Sequence, residues 1–379
     1  MYRNTYVEVN IDNLKYNVNK LIKEYSDYKY YFGVVKANCY GHSDKIVKYL
    51  VESGINYLAV SSLEEALRIR KMKIKTPILC LEPISLEHIE ECVKESITIT
   101  IHDFSYFENL IKKQYLNKLK VHIKIDSGMG RLGFKNSNEV YEIVEKIRKR
   151  DDICLEGIYT HFADNKKIDK QINKFLEVTS LINLKEIPIV HLGKSGTLLN
   201  FKKIPFANGI RFGLIMYGYN PNNEYKHTII SKLLKKDFNK PFEYKSAFKL
   251  YSEIVQIKKL KKGEKVGYNG NYKAKEDIVI GIVPIGYSDG YMRTNKNSYV
   301  VINNKRYQVI GDVSMGMIAV KLDNGVKIYD KVTLIGERIS IFEVAYHNHT
   351  IIYEIMCLIN NNVPRILVEK GKIVDIVEG

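Results

Sequence analysis

The chain has 379 residues, 45% of them hydrophobic, and a formal net charge of +16. That is enough apolar material for a large core and for two domains, and it excludes a disordered chain. The basic residues lie among Glu and Asp along the whole length, so the charge reads as a solvated surface, with no nucleic-acid or membrane partner expected.

The start, MYRNTYVEVN, lacks the apolar stretch of a signal peptide, and no run reaches the roughly 18 consecutive apolar residues of a membrane span. Cysteines at 39, 80, 92, 154 and 357 have neither metal nor redox spacing. Reduced thiols in a cytoplasm are expected, and no metal site.

Through about residue 220, short apolar runs recur at 5–9, 32–35, 56–60, 77–81, 97–101, 121–125, 154–159, 188–192 and 207–210. Amphipathic stretches separate most of them. In DNLKYNVNKLIKEY, Val18, Leu21, Ile22 and Tyr25 share a helical face. In SSLEEALRIRKMKI, Ser62 and Glu65 have capping-box spacing, and Leu63, Ala66, Leu67 and Arg70 follow the helical period. Alternation of strand and helix predicts parallel βαβ units, and about eight of them predict a closed (β/α)8 TIM barrel, an α/β fold. An open doubly wound sheet is the rival on pattern alone.

After about residue 240 the texture changes to strand-like runs, LYSEIVQIKKL, VIGIVPIGYS, SYVVINNKRYQVIG, MIAVKL and KVTLIG, with helix expected only in SIFEVAYHN and IIYEIMCLIN. The expected domains are therefore a barrel over 1–240 and a mostly β C-terminal domain over 241–379.

In such a barrel the chemistry sits where strands end. Lys36 follows FGVV, Arg131 lies in DSGMGRLGF after VHIKI, and His161 follows LEGIYT. Ser195 follows IPIVHL in the turn GKSG, and Arg211 follows FANGI. Each alone is a weak signal: an isolated lysine is usually surface and an isolated histidine usually structural. Together they place cations and a Gly/Ser turn on one face. A Gly/Ser turn offers N–H groups to a phosphate, and a lysine among cations loses its proton more readily. That pairing is how pyridoxal 5'-phosphate is held, with the lysine in Schiff-base linkage.

The segment VVKANCYGH resembles the cofactor-lysine signature of the alanine racemase family. The resemblance continues through IKIDSGMGRLGF, THFAD, RFGLIMYG, VGYNGNY, IPIGYSDGYMR, VSMGMI and IIYEI, in family order and across both domains. It implies a barrel plus a β domain, a homodimer with shared active sites, and pyridoxal phosphate as cofactor. Lys36 matches the Schiff-base lysine and Tyr268 the second catalytic base, donated to the partner subunit. Arg211 matches the arginine facing the pyridine nitrogen. Its guanidinium keeps its proton, which leaves that nitrogen unprotonated and the ring a weaker electron sink. Tyr40, Ser195, Gly213, Leu214 and Tyr353 match the phosphate-binding set, and His161 and Arg131 resemble groups around the tyrosine base. Arg131 and Met315 match the grip on the substrate carboxylate, Tyr287 matches a tyrosine lining the entry, and Lys124 matches a lysine that some members carbamylate.

Three positions depart from the family pattern: Cys39 stands for Ala, Lys194 for Asn, and Gly316 for Asp. The resemblance implies interconversion of L- and D-alanine, supplying D-alanine for peptidoglycan. The alternative is the same chemistry on serine or a basic amino acid, which the lost carboxylate at Gly316 motivates.

Overall fold

The computed structural model describes residues 3–198, 203–221 and 243–378. These form two compact units, one of residues 15–39, 46–198 and 203–216, the other of residues 3–14, 40–45, 217–221 and 243–378. The boundary expected near residue 240 lies outside the described residues.

Strand β1 (Tyr6–Asn10) leads into the helix Ile11–Glu24, where Leu14, Val18 and Leu21 are buried on one face. The barrel strands follow: β2 (Tyr30–Val34), β3 (Tyr57–Val60), β4 (Ile78–Cys80), β5 (Ile97–Ile101), β6 (Leu119–Ile125), β7 (Ile153–Thr160), β8 (Ile189–Gly193) and β9 (Gly209–Phe212). All pair in parallel and in chain order, and β9 closes on β2 with Phe32 opposite Arg211. A closed parallel sheet wrapped by helices is buried on both faces, so its strands must be nearly continuous in apolar residues. All five residues of β5, ITITI, are buried.

Helices begin where side chains satisfy their first N–H groups. Ser62 Oγ accepts from Glu65 N ahead of the helix Leu63–Lys71, as the spacing predicts, but the Glu65 carboxylate turns to Ser61 N (2.7 Å) rather than closing the box on Ser62.

The other unit contains β10 (Phe248–Glu253), β11 (Gln256–Leu260), β12 (Lys265–Val266), β13 (Tyr272–Lys273), β14 (Ile278–Val283), β15 (Tyr299–Ile302), β16 (Lys305–Ile310), β17 (Ile318–Leu322), β18 (Lys331–Ile335), β19 (Arg365–Glu369) and β20 (Lys372–Val377). Ten strands form one sheet in the order β11-β14-β17-β16-β15-β18-β10-β1-β19-β20. The hairpin β15–β16 turns at Asn303 and Asn304, whose φ values of 48° and 63° suit asparagine in a two-residue turn. The two expected helices are present, at Ile341–His347 and Ile352–Leu358.

The apolar run at 5–9 is a correction to the sequence reading. It is not a barrel strand but β1, antiparallel to β10 and parallel to β19. The terminal hairpin β19–β20 was not anticipated.

Candidate active site

Within the barrel unit, the side chains read from the strand ends converge. Lys36 begins two residues beyond β2, and Gly213 directly follows β9, the strand paired with β2. From Ala37 to Tyr40 the backbone holds φ values of 51° to 54°, four consecutive non-glycine residues in the left-handed region. Such residues are unfavourable by roughly 1–2 kcal/mol each. Glu65 Oε1 accepts from Ala37 N at 2.6 Å, and Val35 O accepts from Cys39 N at 3.1 Å.

Arg131 is carried by the loop between β6 and the helix Ser137–Arg148. Asp126 folds that loop by accepting from Gly128 N and Gly130 N, each at 3.0 Å, while Phe134 N returns to Lys124 O at 2.9 Å. Burial raises the Asp126 carboxyl, but the Gly130 and Gly128 N–H groups and Lys135 outweigh it, so it stays below its ordinary value.

Arg211, on β9, is buried. Its NH1 donates to His191 Nδ1 (2.7 Å) and His191 O (2.9 Å), and its NH2 to Thr160 O (2.7 Å) and Leu192 O (3.2 Å). Nε takes no part in these bonds. Burial lowers Arg211 to about 10, so it is still charged at neutrality. Lys124 and Arg211 both lie against the ring of Tyr159, at 5.6 and 5.5 Å from its centroid.

Burial, followed by Arg131, Arg211 and Lys36, lowers the Lys124 ammonium to about 8, against the pull of Asp126. Burial, then Arg211, Lys194, Arg131 and Lys124, push His161 down to about 2, so it is neutral. Lys194, which departs from the family pattern, is lowered by burial and by Arg211, with Asp164 opposing. Arg211, Lys194, Arg131 and Lys124 thus act on one neutral imidazole, and Lys36 acts on Lys124. Such a concentration of positive charge fits an anion.

A turn suited to phosphate adjoins it. Ser195 Oγ accepts from Gly213 N at 3.0 Å and from Ile215 N at 3.5 Å, which brings Ser195, Gly213 and Leu214 together.

The remaining expected residues lie in the other unit. Tyr40 and Tyr353 have ring centroids 5.8 Å apart, and Tyr40 is 5.0 Å from Tyr217. Gly41 has φ +77°, and a Cβ there would lie 2.2 Å from Met356 O, so only glycine lets this segment lie on the helix bearing Tyr353. Arg365 fixes the same corner by donating to the carbonyls of Gly41, Ile359, Asn360 and Val363.

Tyr268 opens a short turn whose Asn271 side chain donates to Asp312, and Asp312 also pairs with Lys296 at 2.7 Å. Tyr287 N donates to Ser314 O (3.1 Å) and Ser288 N to Met315 O (2.9 Å), so Tyr287 and Met315 share one loop cluster. Tyr268 and Met315 are 68% and 59% exposed. A Cβ on Gly316 would meet nothing within 4 Å.

Three polar groups escaped the sequence reading, Glu156, His122 and His191, and Glu65, read there as half of a capping box, instead reaches Ala37 N and Ser61 N. The two histidines were visible as interruptions of the apolar runs KVHIKI and IPIVHL.

Comparison with known proteins gives a concordant result. The sequence profile of the alanine racemase N-terminal domain matches residues 9–221, and that of the C-terminal domain residues 247–367. The chain is 36% identical to the alanine racemase of Anoxybacillus flavithermus, over 99% of this chain and 97% of that one. It superposes on the crystal structure of alanine racemase from Bacillus anthracis with TM-score 0.89 at 34% identity, covering 100% of this chain and 98% of that one. For the alanine racemase of Clostridium difficile 630 the TM-score is 0.91 at 31% identity, with 100% and 99% covered. The chain belongs to the alanine racemase family and is an amino-acid racemase.

Proposed function

We propose that the protein interconverts L- and D-alanine using pyridoxal 5'-phosphate, as a cytoplasmic homodimer whose D-alanine serves peptidoglycan synthesis. The observation that carries this reading is the cluster of Arg211, Lys194, Arg131 and Lys124 about a neutral His161, with Lys36 acting on Lys124, in a chain related over its full length to alanine racemases. A phosphorylated cofactor and an amino-acid carboxylate are the two anions such a site must accept. Among the described residues no helix is long and apolar enough to cross a membrane, and no group of His, Cys, Asp and Glu has metal-binding geometry.

The residues fit the cofactor. Lys36 would carry it, and Ser195, Gly213, Leu214, Tyr40 and Tyr353 would hold its phosphate. Arg211 would face its ring nitrogen with the Nε that its other bonds leave unused. Pyridoxal phosphate, when bound, supplies an electron sink that acidifies the α-hydrogen of an amino acid. Racemisation then needs a base on each side of the α-carbon, because a single rigid base returns the proton to the face it left. Lys36 Nζ serves one face and Tyr268 Oη, from the partner subunit, serves the other. Arg131 and the Met315 N–H hold the substrate carboxylate. Arg211 keeps its own proton, because its two terminal nitrogens are already committed to four acceptors.

Two experiments test this. Chiral chromatography after incubating L-alanine with the purified protein and pyridoxal phosphate should show the racemate; unchanged L-alanine rejects the activity. Mixing Lys36→Ala and Tyr268→Phe subunits should restore about a quarter of parental activity, since half of random dimers hold one intact shared site. No restoration rejects the shared site alone. The space at Gly316 favours a second reading, activity on serine or a basic amino acid, which parallel assays of L-Ala, L-Ser, L-Lys and L-Arg decide.

A further inference from the structure

Beneath Arg211 the barrel core holds a line of polar groups. Arg211 NH1 donates to His191 Nδ1 at 2.7 Å, His191 Nε2 lies 3.0 Å from His122 Nδ1, and His122 Nε2 lies 3.4 Å from Glu156 Oε2. Both imidazoles are fully buried. Glu156 Oε2 also accepts from Tyr57 Oη and from Thr98 Oγ1 (3.0 Å), and Oε1 accepts from Lys120 Nζ (2.9 Å).

The protons on this line are determined from both ends. A guanidinium has donors only, so His191 Nδ1 is bare and its proton sits on Nε2. That N–H needs an acceptor, so His122 Nδ1 is bare and its proton sits on Nε2, pointing at the Glu156 carboxylate. The last separation is longer than an ordinary hydrogen bond. The sign of the contact still decides: an N–H dipole beside a buried carboxylate is attractive, and a bare nitrogen lone pair there is repulsive. The nearly parallel rings of Phe32 and Tyr159 stack on His191 at 4.4 and 4.7 Å, which opposes a ring flip.

We propose that Glu156, acting through His122 and His191, is a positioning residue for Arg211: its charge fixes the tautomer of both imidazoles and so keeps an acceptor against the guanidinium. This rests on the reading in which Arg211 faces the cofactor ring. Glu156→Gln changes one atom without changing shape and inverts the logic. The Lys120 ammonium requires the amide oxygen, so the amide NH2 faces His122. His122 must then present a bare Nε2, and the displaced proton propagates until an N–H of His191 confronts Arg211.

The test is 15N spectroscopy of histidine-labelled protein loaded with pyridoxal phosphate, together with alanine racemisation kinetics. In the parent, His122 and His191 should both be neutral and protonated at Nε2; an Nδ1 proton or a charged ring on either overturns the proposal. In Glu156→Gln their tautomers should change, and kcat should fall by roughly ten- to a hundredfold with KM within about twofold. Lys120→Met added to Glu156→Gln frees the amide to turn its oxygen inward and should restore both tautomers and kcat. Unchanged tautomers and kcat in Glu156→Gln, or no recovery in the double variant, also overturn it. A parent without racemase activity would reject the functional reading and leave the spectroscopic result standing.

Discussion

The backbone N–H of Ala37 donates to Oε1 of Glu65 at 2.6 Å, while Oε2 of the same carboxylate accepts from Ser61 N at 2.7 Å. One side chain from the helix after β3 thus stitches the residue following Lys36 to the end of its own strand. Replacing Glu65 with Ala removes the charged acceptor of both donors and releases a left-handed segment that is locally unfavourable. The expected cost is about 1–3 kcal/mol in urea unfolding, with a loss of racemase activity beyond what that stability change explains. Glu65→Gln, which keeps one acceptor, should fall between the two.

Tyr268→Phe should lower racemisation by roughly 10²- to 10⁴-fold, the usual range for a positioned acid or base. Lys36 remains, so one enantiomer of alanine should still exchange its α-hydrogen in deuterated water without inverting. Mass spectrometry of each recovered enantiomer checks this. Exchange lost equally for both would show that the two groups do not divide the faces.

Lys124 titrates at about 8 in the folded protein against 10.5 ordinarily. Between those values the unfolded chain binds more protons, so stability from this group rises with pH across that window. Below about pH 8 the full burial penalty is present, about 2–3 kcal/mol after solvent screening. Lys124→Met should therefore be more stable than the parent at pH 7, and its advantage should shrink toward pH 10.5. Urea unfolding of both proteins at three pH values measures it.

His161 has the same sign of shift in a lower range. Its folded value of about 2 lies below the ordinary 6.5, so from pH 6.5 downward the unfolded state gains a proton that the folded state refuses. Stability falls on acidification, by at most about 1.4 kcal/mol per pH unit from this one group. His161→Asn should flatten the acid limb of the stability curve between pH 6 and 4.

The barrel was legible because burial on both faces leaves little room for polar residues; PILCL and IPIVHL read as buried strands. The strand-end rule then picked out Lys36, Arg131, His161, Ser195 and Arg211 as candidates. Pattern failed where partnership decides the outcome. YVEVN alternates like any strand, and nothing in five residues says whether it pairs with YYFGV or with FKLYSE from the far end of the chain. KIVDIV went unread because β20 is largely exposed. The contacts of Glu65 with Ala37 and of Glu156 with His122 were invisible for a related reason: each reaches a residue from a different strand segment, and sequence spacing carries no trace of that contact.

Strand β1 lies between β10 and β19 in the interior of the ten-stranded sheet. The ribosome therefore delivers this strand more than 200 residues before either neighbour, and the whole barrel is synthesised while it waits. Barrel formation during translation, with sheet closure last, is the order this threading dictates. A fragment starting at residue 243 would carry two unpaired interior edges, open to self-association, and supplying MYRNTYVEVN as a separate peptide should quench its aggregation.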